Sequence, residues 1–327
     1  MAKVKTWDAI IVGGGIAGLS AAIYLGRAQR ATLVIDSGKS MAQWEPEVQN
    51  YLGFDKGIAG EELLKRGRQQ ARRYEVQFRQ DEIVKARRRK GEFTLRGKKK
   101  SYRSRFLLLA TGIFHIPPDI NGVGACLGHS MFFCKDCDGV RVRNKRIAVY
   151  GANDEAAEYA LGMLLYSSHV AVVTDGRQTR WNKSHGQRLL KCQVPIYRQP
   201  IERAVHRGCW LQSLKFSDGS TLPVDALFTT RGDVYYNELA KMLGAKTAGG
   251  EIAVSLSMRT TVKRLYAAGC VTPANCQMII AAGEGATAAQ SINRELFRQD
   301  LATHSSPGSK RFERRPRSRP RKRKLRA

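Results

Sequence analysis

The chain is short of acid. Its 327 residues carry 28 Asp and Glu against 56 Lys and Arg, a formal net charge of +28. It has no apolar run near the ~18 residues that a membrane helix needs; "FLLLA" (106–110) and "MII" (278–280) are core-sized pieces. "MAKVKTW" passes straight into the strand-like "DAIIV" with no leader-like apolar core, so a cytoplasmic protein is expected. Seven cysteines, an odd number in so long a chain, do not read as a secreted disulfide framework. One CxxC occurs, at Cys134 and Cys137, with no second CxxC or HxxxH to complete four zinc ligands, and no metal is expected. No Lys-Ser/Thr follows the first glycine turn, which excludes a P-loop. With 43% hydrophobic and 26% charged residues the chain reads as globular, and its length allows two domains.

The positive charge is uneven. Residues 309–327, "SKRFERRPRSRPRKRKLRA", hold eleven Lys/Arg and one Glu, a low-complexity tail that cannot build a core and is expected to be disordered. Contact with nucleic acid or an anionic surface is a role open to such a tail. Of the +28, the tail holds +10, leaving +18 on the body, with clusters at "KARRRK" (85–90) and "GKKK" (97–100). Those clusters are either a solvated face or a surface for an acidic partner.

One feature repeats. "DAIIVGGGIAGLSAAIYL" and "RIAVYGANDEAAEYALGML" share a short apolar strand, a small-residue turn and an alanine-rich helix, with turns beginning at Gly13 and Gly151. Two such openings predict two nucleotide-binding α/β units. "RFLLLATG", "VAVVTDG", "DALFTTRG" and "RLYAAGCV" read as further buried strands, and "QMIIAAGEGATAAQSINRELF" as a helix. In the first turn Gly13 permits the tight bend, Gly15 lets backbone approach a pyrophosphate, and Gly18 lets helix pack on strand. Asp36 ends the next strand 18 residues after Gly18, where a carboxylate accepts from a ribose hydroxyl.

The segment "FFCKDCDGV" (132–140) brings Cys134, Cys137 and Asp138 together. A working dithiol fits better than half of a zinc site, because the two-residue spacing lets the sulfurs meet and Asp138 is a proton-transfer group beside them. The other cysteines, Cys126, Cys192, Cys209, Cys270 and Cys276, are scattered and read as small buried hydrophobes.

At this point the sequence resembles the low-molecular-weight thioredoxin reductases and related flavoproteins over nearly everything but the tail. The residues that carry the resemblance are "GGGIAGLSAA", "VQNYLGF" with "GIAGEELL", "LLATG", "CKDCDG", and "LYAAGCVT" with "AAGEGATAA". It implies two Rossmann-like, three-layer ββα domains, the second inserted in the first: a discontinuous FAD domain over 1–115 and 234–308, and an inserted pyridine-nucleotide-type domain over 116–233 carrying the CxxC. The implied FAD site is Gly13, Gly15, Ala17, Gly18, Asp36, Gln43, Asn50, Val84, Ala110, Thr111, Gly112, Gly269, Cys270, Gln277 and Met278. The resemblance also makes Cys137 the thiol facing the flavin, Cys134 the one exchanging with a substrate disulfide, and Asp138 the acid/base. It further implies a homodimer, domain rotation, and a thioredoxin-like protein or small disulfide as substrate.

The second nucleotide site departs from that pattern. Asn153 stands where a second glycine is usual, and the Arg-rich segment is replaced by Thr174, Asp175, Gly176 and Arg177. A 2′-phosphate would lose its cationic partners and meet Asp175. NADPH is therefore not expected as donor. Gly151, Asn153, Asp154, Asp175 and Arg177 leave room for NADH or a second FAD, with Tyr235 and Tyr236 read as core or as a stack for a flat ring. Reduced ferredoxin, an acidic protein, suits the basic body. Cys270 replaces the family's Asp, a weaker partner for the flavin's ribityl chain. The expected activity is a flavin-dependent disulfide oxidoreductase; the alternatives are an NADH- or oxygen-dependent dithiol enzyme, and a non-catalytic flavin scaffold with a nucleic-acid-binding tail.

Overall fold

The structure is a computed structural model that describes residues 5–303, so the expectations for the 309–327 tail, and for 304–308, lie outside the described residues. Two open sheets organise the chain. The first has seven strands, in the order Gln77–Gln80, Thr32–Asp36, Thr6–Val12, Ser101–Leu109, Glu92–Gly97 and Ile83–Arg89, with Leu265–Ala267 also paired to Ser101–Leu109. Its centre is parallel: Ile11 sits opposite Val34 on one side and Leu108 on the other. Ser101–Leu109 is shared along its length. Ser101 to Ser104 pair antiparallel with Glu92–Gly97, and Leu107 to Leu109 pair parallel with the late strand. Both ends of the described chain thus build one sheet.

Side-chain alternation along these strands assigns the layers. Ala9 and Ile11, with Phe106 and Leu108, pack beneath the helices Ile16–Arg27 and Met278–Ala302. Ile10 and Val12, with Leu107 and Leu109, pack on the opposite face with Phe93 and Leu95 of the antiparallel ribbon. The two helices approach closely because small residues line their seam. A Cβ on Gly285 would run into the Ala17 carbonyl, and Ser20 Oγ donates to the Ala282 carbonyl at 2.7 Å.

The second sheet is entirely parallel, in the order Ile196–Tyr197, Val170–Val173, Ile147–Tyr150, Ala226–Thr229 and Met131–Phe132. Ile147 and Val149 face the helices Asp154–Met163 and Lys183–Lys191. Ala148 and Tyr150 face a three-stranded antiparallel sheet, Ile201–Arg207, Trp210–Phe216 and Thr221–Pro223. The architecture is α/β with two Rossmann-like units, each of sheet, antiparallel layer and helices.

The chain leaves the first unit along Ile113–His115 and returns along Asp233–Tyr235. These strands pair antiparallel, and His115 Nδ1 lies 2.5 Å from Asp233 Oδ1. The two crossings therefore lie side by side.

The helix seam makes a paired prediction. Gly285→Ala should destabilise the fold by about 1–3 kcal/mol, because backbone cannot retreat from the new methyl group. Gly283→Ala, in the same helix with open space around it, should stabilise by about 0.5–1 kcal/mol. Denaturant midpoints measure both, and equal effects would disprove the close approach.

Candidate active site

A cavity of about 580 Å³ opens beside the C-terminal ends of the first sheet's parallel strands. The first glycine turn forms one wall. Gly13 has φ +108°, and a Cβ there would strike the Ala110 carbonyl; a Cβ on Gly18 would strike the Gly13 carbonyl. Gly15 differs: its nearest neighbour would be Ser40 Oγ at 3.4 Å, and it begins helix Ile16–Arg27 with no side chain capping the free N–H groups. That helix N-terminus faces a cavity, the arrangement that receives a pyrophosphate. Asp36 closes the far end, with Oδ2 accepting from Arg68 Nη2 at 2.6 Å. One carboxylate oxygen remains for a ribose hydroxyl. The residues present thus fit a dinucleotide.

Gly13, Gly15, Ala17, Asp36, Asn50, Val84, Ala110, Thr111, Gly112, Gly269, Cys270, Gln277 and Met278 all line this cavity. Gly18 lies beneath it as a packing residue, and Gln43 is exposed outside the lining, whereas Met41, Ala42 and Glu45 of the same stretch face in. Tyr236 also lines the cavity, its carbonyl accepting from Thr111 Oγ1 at 2.6 Å. It therefore contributes to the first site and not to the second, where the sequence had grouped it.

The second unit brings Cys134 and Cys137 into the wall of the same cavity, joined as a disulfide. Gln277, at the start of helix Met278–Ala302, reaches across: its Nε2 lies 3.2 Å from Cys137 Sγ and 3.4 Å from Cys134 Sγ. Asn50 Nδ2 donates to Gln277 Oε1 at 3.0 Å and fixes the amide's orientation. Asp138 is buried, with Oδ1 accepting from Arg141 Nη1 at 2.8 Å. Burial raises its carboxyl above the usual range, against the opposing pull of Arg141. Glu45, on the neighbouring cavity wall, is pushed up to about 7, first by burial and then by the Asp138 charge, with Arg141 and His115 pulling down. Glu45 and His115 carry no local motif and are brought to the dithiol by the fold, whereas Arg141 follows Asp138 by three residues in the same segment.

A correction concerns the remaining cysteines. Cys270 and Cys276, read as isolated small hydrophobes, form a second disulfide, and both face the cavity. Cys276 and Cys192 are exposed, Cys209 is half-buried, and of the scattered five Cys126 is buried. The sulfurs at 270 and 276 are close because the loop between them is folded tightly, which spacing alone does not reveal. No group of three or more His, Cys, Asp or Glu able to hold a metal occurs among the described residues.

The second glycine turn is built differently from the first. Asn153 caps helix Asp154–Met163, its Oδ1 accepting from Ala156 N at 3.1 Å. Asp154 Oδ1 accepts from Asn182 N and lies 2.7 Å from His185 Nδ1. Both oxygens of Asp175 are engaged, by Tyr150 OH at 2.8 Å and Ile201 N at 2.7 Å. Arg177 lies on the Tyr150 ring at 4.4 Å and donates to the Thr174 carbonyl. Gly151 is confined by Thr230 and Ala156, and Tyr235 belongs to the return crossing. Asp175, expected as a ribose acceptor, has each oxygen in one hydrogen bond within the unit.

A disulfide set in the wall of a dinucleotide cavity defines a nucleotide-linked disulfide oxidoreductase. Residues 7–290 match the family described as pyridine nucleotide-disulphide oxidoreductase. The chain is 31% identical over 294 residues to a thioredoxin reductase of Treponema pallidum, covering 87% of this chain and 95% of the relative. Among solved structures, HlmI shares 27% identity with a TM-score of 0.86, covering 91% of this chain and 95% of that one. The atypical thioredoxin reductase TRi of Desulfovibrio vulgaris Hildenborough shares 32% identity with a TM-score of 0.50, covering 89% and 99%. The chain belongs to the pyridine nucleotide-disulphide oxidoreductase family and is a flavin-dependent disulfide oxidoreductase of the thioredoxin reductase type.

Glu45 makes the site sensitive to pH. Its carboxyl titrates near 4.5 when unfolded and about 7 when folded, so the folded chain holds the proton longer as pH rises. The stability it contributes is full below pH 4.5 and is lost through pH 7, by at most about 3 kcal/mol. Glu45→Gln should remove this loss, so the variant's stability relative to the parent should rise between pH 4.5 and 7.5. A pH-independent difference in denaturant midpoints would rule out the raised carboxyl.

Proposed function

We propose that this enzyme passes electrons between FAD and the Cys134–Cys137 pair, and on to the disulfide of a thioredoxin-like protein, with a donor other than NADPH. The observation that carries the donor reading is the Asn153 cap. It occupies the helix N-terminus that a second pyrophosphate would need, while Asp175 and Arg177 are committed to Tyr150, Ile201 and Thr174. The Gly13–Gly15 turn and the uncapped start of Ile16–Arg27 would hold the FAD pyrophosphate, and Asp36 its ribose. When bound, FAD supplies two-electron exchange with the dithiol. Cys137 is the thiol assigned to the flavin side and Cys134 to the substrate disulfide. Asp138, kept above the usual range by burial, is assigned to donate a proton to the leaving thiolate and to recover it afterwards. Residues 1–115 with 234–308, and 116–233, are assigned as two domains whose relative rotation lets the dithiol alternate between flavin and partner; the adjacent crossings supply the pivot.

Reduced ferredoxin is the donor favoured by the surface. Ile83 and Val84 line the cavity at the start of strand Ile83–Arg89, and the same strand exposes Lys85, Arg87, Arg88 and Arg89. Lys98, Lys99 and Lys100 are exposed in the next connection. A basic ribbon at the cavity rim would hold an acidic electron carrier near the flavin. A second FAD at Gly151–Arg177 has less support, since Asp175 is no longer available to its ribose.

Stopped-flow mixing tests the donor. NADPH should bind at least on the order of a hundredfold more weakly than an intact site allows, because each lost charge-assisted hydrogen bond costs roughly 1.5–3 kcal/mol. Asn153→Gly alone should not restore reduction. Reduced ferredoxin should bleach the flavin rapidly at low salt, and Arg87→Glu with Arg88→Glu should slow it at least about tenfold. Rapid, saturable bleaching by micromolar NADPH would sink the proposal.

A further inference from the structure

The Cys270–Cys276 disulfide lies in the loop between strand Leu265–Ala267 and helix Met278–Ala302. Its two residues line the same cavity wall as Cys134 and Cys137. The residue after Cys276 is Gln277, whose amide lies against both sulfurs of the Cys134–Cys137 pair at 3.2 and 3.4 Å. The two disulfides therefore line one cavity and are linked through the adjacent residues Cys276 and Gln277. Cys276 is exposed and Cys270 half-buried, so one sulfur is open to solvent and the other turned inward.

A structural staple explains these cysteines poorly. The stabilisation from a cross-link grows with the length of the loop it closes, and here the separation is only six residues. The loop is also held without it. Glu284 Oε2 accepts from Gly269 N at 2.6 Å and from Thr272 Oγ1 at 2.9 Å, which ties the loop's start to the helix that follows it. Backbone bonds from Ala274 N to the Thr272 carbonyl and from Gln277 N to the Asn275 carbonyl tighten the remainder. Cys276 also sits just before the N-terminus of a 25-residue helix, where a thiolate is favoured. A labile disulfide with one exposed sulfur, beside a dithiol centre, has the features of a redox-active bond.

We propose that Cys270–Cys276 is a second redox-active disulfide, which exchanges electrons with the Cys134–Cys137 pair and presents them to solvent at Cys276. The proposal rests on Cys134–Cys137 being the working dithiol. When that pair is reduced, by flavin or by an external dithiol, the Cys137 thiolate attacks Cys276 Sγ. The Cys137–Cys276 bond forms, the Cys270–Cys276 bond breaks, and Cys270 leaves as thiolate. Cys134 then attacks Cys137, re-forms Cys134–Cys137 and releases Cys276. Two electrons and the two protons of one dithiol have passed to the other, and no further reductant is needed. The enzyme thus stores four electrons in its two cysteine pairs and delivers two of them on the face that carries Cys276.

The test counts thiols on the FAD-loaded full chain. Cys192 and Cys209 are first blocked in the oxidised protein, which is then titrated anaerobically with dithiothreitol, alkylated while folded and mapped by mass spectrometry. Four cysteines, Cys134, Cys137, Cys270 and Cys276, should become labelled in the parent. The double variant Cys270→Ser with Cys276→Ser should label two. In Cys134→Ser, where the resolving thiol is missing, a Cys137–Cys276 cross-linked peptide should accumulate with Cys270 free. A Cys270–Cys276 bond that stays intact while Cys134 and Cys137 label fully, with no cross-link in Cys134→Ser, would overturn this proposal alone. Free Cys270 and Cys276 in the oxidised protein would also overturn it. Resistance of Cys134–Cys137 itself to the dithiol would overturn the reading of that pair, and this one with it.

Discussion

The redox chemistry open to this chain depends on one contact, the Gln277 amide against the Cys134–Cys137 sulfurs. Gln277 is the residue that begins helix Met278–Ala302, and its side chain makes no capping bond to that helix. A good cap is worth about 1 kcal/mol, and the helix forgoes it. The amide instead crosses to the other unit, oriented by Asn50 from a third part of the chain. The close seam with Ile16–Arg27 fixes where that helix starts, so the small residues at Ala17 and Gly285 ultimately place the amide. Core packing on one side of the molecule thereby sets a contact at the dithiol on the other. The two crossings pair beside each other at His115 and Asp233, where the chain passes between the units.

The two glycine turns show how one plan diverges in function. Each follows a parallel strand and opens a helix, and each helix N-terminus has free N–H groups needing an acceptor. In the first, Gly15 supplies none, leaving the positive end of the helix facing the cavity. In the second, Asn153 supplies its own amide oxygen to Ala156. A side-chain cap satisfies a donor that a bound phosphate would otherwise meet, so Asn153 stabilises its helix from within the chain. Asp175 follows the same logic, its two oxygens stitching Tyr150 to the start of Ile201–Arg207. In the second unit the turn and the strand end that follows it are thus tied by bonds within the chain.

Much of this was legible in the sequence because it is local. The strand–turn–helix repeats, the Gly13–Gly18 spacing and the CKDCDG segment are short patterns whose geometry follows from a few consecutive residues. The departure at Asn153 was legible too, though as an obstruction rather than as a cap. The Cys270–Cys276 bond was not, because its sulfurs meet only through the loop that Glu284 ties to the helix. Tyr236 was placed with the wrong site because its position depends on the return crossing, where it is fixed to Thr111 and Gly112. The partners of Asp175 were not legible for a similar reason: a carboxylate at the end of a strand reads as free until Tyr150 and Ile201, 25 and 26 residues away, are in place.

Glu45 and Asp138 connect these structural details to the chemistry. Two carboxyls share a poorly solvated wall beside the dithiol; burial raises both, and the Asp138 charge raises Glu45 further. Arg141 opposes this for Asp138 by direct pairing, whereas Glu45, raised to about 7, feels the same cation only from farther away. In the proposed exchange, a proton given by Asp138 to a leaving thiolate would leave a charge that Arg141 neutralises, and Glu45, raised to about 7, carries less negative charge beside it near neutrality than an ordinary carboxylate. The proposed proton transfer would thus depend on carboxyls from both units, in the same arrangement that places Gln277 at the sulfurs.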